Sequence, residues 1–124
     1  MSKSLNRVMV IGSVGRPPEM RYMPSGQPVT SFSVGTTRSW NNSEGQRREE
    51  TEWFNVVAWG LLAETCKKTI HENQQVYVEG RLQTRSWQTE DGQTRFRIEL
   101  VASDMILLSQ SVEQDGVQVR PAGE

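Results

Sequence analysis

The stretch 51–60, TEWFNVVAWG, constrains the rest of the chain more than any other. Read with a period of two, Trp53, Asn55, Val57 and Trp59 point one way, and Phe54, Val56 and Ala58 the other. Both rows are largely apolar. A strand in a small antiparallel protein normally sends one row to the core and the other to water. Here the second row needs cover too, since leaving it wet forgoes roughly 1.5–3 kcal/mol per large side chain. Two indoles six residues apart lie about 20 Å apart along a strand, a spacing suited to an elongated ligand. A core or a subunit interface would use the same pair, and from this stretch alone both readings stand.

The 124 residues are expected to form one domain, 1–110, and a short flexible polar tail, 111–124. No apolar run is long enough to span a membrane and no charged-then-apolar signal opens the chain, so no membrane partner is expected. The single cysteine excludes an internal disulfide and suits a reducing compartment. Residues 1–110 carry 13 lysines and arginines against 12 acids, and 111–124 one arginine against three acids. A body so close to neutral argues against a strongly electrostatic binder of duplexes. Single-strand binding remains open, because stacking on aromatic rings shares that load with phosphate contacts. Most of the basic residues are arginines, the type that stacks and forks onto phosphate.

Along the chain, 5–11 (LNRVMVI) reads as a strand closed by Gly12, and Gly15-Arg16-Pro17-Pro18 and Pro24-Ser25-Gly26 as turns. A long strand follows over 29–40, with Gly35 inside it marking a bulge or a close backbone approach. The polar, glycine-punctuated 41–50 is a hairpin tip returning through 51–60. The segment 61–70 (LLAETCKKTI) is the one helix, with Lys67 and Lys68 suited to its C-terminal end. Strands over 75–87 and 94–108 flank a turn at Asp91-Gly92. From Ser109 on there is no period. This order fits an all-β fold, a five-stranded oligonucleotide- or oligosaccharide-binding barrel with one short helix between the third and fourth strands, and a generic five-stranded sheet shares the same order. Trp40, Trp53, Trp59 and Trp87 fall at strand ends and along one strand. Four indoles, each with an N–H to satisfy, suit a stacking track better than a core.

At this point the chain resembles the bacterial-type single-stranded DNA-binding protein family across about 5–108. The resemblance rests on LNRVMVIGSVGRPPEMRYMPSGQPV, TEWFNVVAWGLLAE, QVYVEGRLQTRSW and DGQTRFRIELVASDM, in the family's order and spacing. It implies a non-catalytic homotetramer, or dimers of such domains, that wraps single-stranded DNA without sequence preference in replication, recombination or repair. It also implies no cofactor and a bacterial cytoplasmic or nucleoid location. By position, Trp40, Trp53 and Trp87 match the family's stacking tryptophans, and Trp59 takes a stacking site that is phenylalanine in well-known members. Arg7, Arg21 and Arg85 match basic positions on the DNA path. Phe54 stands near a subunit contact, and Gln75 and Tyr77 on a strand that joins dimers. Asn55 and Leu61 replace basic residues of well-known members. The acids beyond the domain, Glu113, Asp115 and Glu124, do not form the family's usual acidic tip. Either a short member or a truncated chain would end this way; a short member is the expectation, without recruitment of repair proteins through such a tip.

The remaining singular residues have plain readings. His71 has no ligand at metal-binding spacing, Cys66 packs in the helix, and Gly12 and Gly15 lack the continuation of a phosphate-cradling loop. No pair of groups is arranged for catalysis. Against the DNA-binding reading stand a protein-interaction or primosome-assembly module and a sugar-binding or accessory domain on the same barrel.

Overall fold

The computed structural model describes residues 3–108. They form β1 (Val8–Val14), β2 (Glu19–Tyr22), β3 (Pro28–Asn41), β4 (Arg47–Trp59), α1 (Leu61–Thr69), β5 (Gln75–Gln88) and β6 (Thr94–Leu107). The strands make one sheet in the order β1-β5-β6-β4-β3-β2. Every pairing is antiparallel except a short parallel contact of β4 with β6, at Val56↔Leu100 and Val57↔Val101. The expected five-stranded barrel, with its helix between the third and fourth strands, is thereby corrected: the sheet has six strands and the helix lies between β4 and β5. The unexpected strand is β2. Of its four residues only Met20 is partly buried, and it pairs with β3 alone, from Glu19↔Ser31 to Tyr22↔Pro28. An edge strand this short has no apolar row to bury, so it leaves no period in the sequence.

The core follows from alternation. Phe32 and Val34 of β3, Val56 and Ala58 of β4, and Val76 and Val78 of β5 meet in one buried cluster, closed on one side by α1. The helix contributes Ala63, Cys66 and the capping Ile70. The buried Thr30 hydroxyl ties it to the sheet by donating to the Ala63 carbonyl at 2.7 Å. Burial pushes the Cys66 thiol up to about 11, so it stays protonated and packs. β1 serves two neighbours: it pairs with β5 from Val8 to Ser13, and Ser13 and Val14 also pair with Gly35 and Val34 of β3. That crossing needs Gly12, because a Cβ there would stand 2.2 Å from the Gly35 carbonyl oxygen.

Beyond the core, β3–β4 and β5–β6 continue as two exposed arms. In the first, Asn42 Oδ1 accepts from the N–H groups of Glu44 and Gln46, both at 2.9 Å, and makes the turn compact. β4 therefore begins at Arg47, earlier than the apolar stretch suggests, because both faces of an arm are wet and no alternation is required of it. The second arm turns at Asp91-Gly92, where the Thr89 hydroxyl donates to Asp91 and holds its carboxyl below the usual range. The expected tail, 111–124, lies outside the described residues. Among the described residues no helix is long and apolar enough to cross a membrane.

Candidate nucleic-acid interface

β4 sends its two apolar rows to different surroundings. Val56 and Ala58 are buried, and Phe54 packs partly buried against the same core. On the opposite face Trp53 and Trp59 are exposed, with the nearly covered Val57 between them. The facing row of β3 is small: Ser31, Ser33 and Gly35 lie across from Val57, Asn55 and Trp53. The result is a furrow in which the Trp53 ring lies over bare backbone. A Cβ on Gly35 would stand 2.8 Å from the ring, and one on Gly15 2.4 Å, so both positions must lack one. The ring is still 58% exposed.

At the far end of the same strand Trp59 lines a pocket of about 190 Å³ with Arg21, Arg85, Arg97 and Glu99. The β5–β6 register sets Arg85 directly across from Arg97, and Trp87 across from Arg95. Like charges directly opposite repel, and the buried Glu99 offsets that repulsion by accepting from Arg85 Nε at 3.1 Å. The Arg85 guanidinium also lies 5.0 Å from the centroid of the Trp87 ring, within cation–π range. Trp87 follows Arg85 by two residues and shares its face. Trp59, Trp87, Arg21 and Arg85, named separately by the sequence, are thus neighbours.

Trp40 is placed differently. It belongs to the even-numbered row of β3, the row of Phe32 and Val34, and so projects from the face of the β3–β4 ladder opposite Trp53 and Trp59. Its ring carries the Arg38 guanidinium at 4.4 Å, and Arg38 pairs with its cross-strand partner Glu50 at 3.3 Å. Arg7 also lies away from the pocket: it forms an ion pair with Glu79, to which the Tyr77 hydroxyl donates at 2.6 Å. That hydrogen bond raises the Tyr77 phenol above its ordinary value. Gln75 lines the furrow of Trp53 together with Ile11.

Sequence reading passes over Arg38, Arg97 and Glu99. A signal for the first is present. Thr-Arg-Ser-Trp occurs twice, at 37–40 and 84–87, once on each arm, and both times the arginine covers the indole two residues on. Such a surface offers flat aromatic faces for bases and guanidinium forks for phosphates. Among the described residues no three His, Cys, Asp or Glu side chains gather as a metal site.

Comparison with known proteins agrees with this chemistry. The model of the Single-strand binding protein family matches residues 5–108. Single-stranded DNA-binding protein 1 of Chlorobaculum tepidum is 44% identical over 109 residues, covering 87% of this chain and 67% of that protein. The single-stranded DNA-binding protein of Neisseria meningitidis serogroup A is 44% identical over 113 residues, covering 91% and 65%. The chain thus spans about two thirds of the length of these curated relatives. Among solved structures, a Plasmodium falciparum SSB complex with ssDNA superposes with a TM-score of 0.78 at 31% identity, covering 87% of this chain and 98% of that one. A deletion mutant of the single-stranded DNA binding protein from Thermus aquaticus gives 0.73 at 28% identity, covering 87% and 52%.

Proposed function

The chain belongs to the single-strand binding protein family, and from that premise we propose that it binds and protects single-stranded DNA without reading its sequence, in replication, recombination or repair. The observation that carries this reading is the convergence of Trp59 with Arg21, Arg85 and Arg97 around one pocket, beside the Arg85–Trp87 stack. Bases stack on Trp53, Trp59 and Trp87 along one face, Trp40 offers a further ring on the opposite face of the first arm, and Arg21 and Arg85 take backbone phosphates. Arg7, committed to Glu79, is a peripheral phosphate contact. The protein is a binder, not an enzyme, and acts in the bacterial cytoplasm or nucleoid. Residues 1–110 make the binding domain. Titration with oligothymidine tests the reading: stacking quenches tryptophan fluorescence. Fluorescence unmoved by saturating oligonucleotide would contradict it and favour a protein-contact module.

The same titration at several salt concentrations gives a second result. Arg7, Arg38 and Arg85 each face a carboxylate, and Asn55 and Leu61 stand where well-known members of the resembled family carry basic residues. Each counterion released from a single strand adds about 0.7 to the log–log slope, so the slope should be shallower than that of a relative rich in unpaired lysine. An equal or steeper slope would contradict this.

Assembly completes the proposal. Met9 and Ile11 are 65% and 55% exposed, and the β1–β5–β6 register sets Ile11 beside Tyr77, and Tyr77 beside Ile106. An exposed apolar row of this kind needs cover. A homotetramer is expected, with Tyr77 and Gln75 at one interface and Phe54 near another. Light scattering at micromolar concentration checks it: a monomer would refute the oligomer, and a stable dimer would refute the tetramer.

A further inference from the structure

Each arm carries the same three-part stack of carboxylate, guanidinium and indole: Glu50–Arg38–Trp40 on the first and Glu99–Arg85–Trp87 on the second. The two differ in how the carboxylate is held. Glu50 has a side chain 52% exposed and meets a terminal nitrogen of Arg38 at 3.3 Å, in solvent where such pairs contribute little. Glu99 has a side chain only 9% exposed and meets Arg85 at Nε, at 3.1 Å. Among the described residues Arg85 has no other hydrogen-bond partner, so both of its terminal amino groups are uncommitted. A guanidinium held by Nε alone keeps its terminal pair as a fork, the arrangement that takes two oxygens of a phosphate at once. Glu99 lines the same pocket as Arg85 and Trp59, with Arg21 and Arg97 as the other charges there.

We propose that Glu99 is a positioning residue of the interface: it fixes Arg85 over Trp87 with its fork free for a backbone phosphate, while Glu50 leaves Arg38 compliant. An acid inside a phosphate-binding pocket is otherwise a liability, since its charge repels the ligand. Its burial and its choice of Nε give it a use that outweighs the repulsion. The inference rests on the single-strand-binding reading and goes beyond it in naming a residue that touches no DNA.

Position and charge are separated by four variants measured against oligothymidine, with melting temperature alongside. Glu99→Gln keeps an acceptor for Nε and removes the charge, so it should bind no more weakly than the parent. Glu99→Asp keeps the charge but draws the carboxylate back by one methylene, and should bind about five- to tenfold more weakly, the scale of one ordinary hydrogen bond. That loss should vanish when Arg85→Ala is added, because the acid then has nothing to position. Glu50→Gln should not weaken binding. If Glu99→Asp binds as the parent does, or if its loss persists without Arg85, the proposal is overturned. Should the parent itself not bind oligothymidine, the single-strand reading fails with it, a result distinct from either.

Discussion

Replacing Trp53 or Trp59 with alanine is expected to weaken oligothymidine binding by ~1–3 kcal/mol for each base left without a ring to stack on. The effect should be similar on cytidine runs, since a π face reads no base edge. Both rings stand on the exposed row of β4, so the fold survives either change, but not without cost. Trp53 covers the bare backbone of Gly15 and Gly35, and Trp59 walls the arginine pocket; each truncation removes packing as well as a stacking face. Affinity and melting temperature must therefore be measured on the same protein. A variant that melts normally and binds normally would remove that indole from the interface.

Phe32→Ala should do the opposite. Phe32 is fully buried among Val34, Val56 and Val78, and truncating such a ring leaves a cavity that typically costs about 3–5 kcal/mol. Urea unfolding should show that destabilisation, and DNA affinity should fall only in proportion to the unfolded fraction. A variant of near-parental stability would mean that the core is not centred on this ring. Phe32 and Trp53 stand on adjacent strands, three positions apart in the ladder, yet their substitutions should separate stability from binding.

What the sequence makes legible depends on burial. Where one row meets the core, as at Val56 and Ala58 or Val76 and Val78, alternation locates the strand and its buried face. Where both faces are wet, as at Arg47–Glu50 or in β2, nothing in the sequence requires alternation, and the elements leave no trace there. The sixth strand and the revised place of the helix follow from that one blind spot. The indoles are conspicuous by type, but their grouping is not. Trp59 and Arg85 are far apart in the chain and meet only because β4 and β6 touch through a short parallel contact. The face of Trp40 is implicit in the even-numbered alternation of Phe32 and Val34, continued out along the arm. Glu99 has no signal of its own: a lone glutamate between isoleucine and leucine gives no hint that it is buried against an arginine.

Trp40 and Trp87 isolate the stacking claim best, because each sits on an arm away from the core, under an arginine rather than over packed backbone. Measuring melting temperature and oligothymidine affinity on Trp40→Ala and Trp87→Ala should therefore find both melting close to the parent. Each should bind more weakly by ~1–3 kcal/mol. If both remain folded and both bind with undiminished affinity, the indoles are not a stacking track, and any binding of single strands must be carried by the arginines alone.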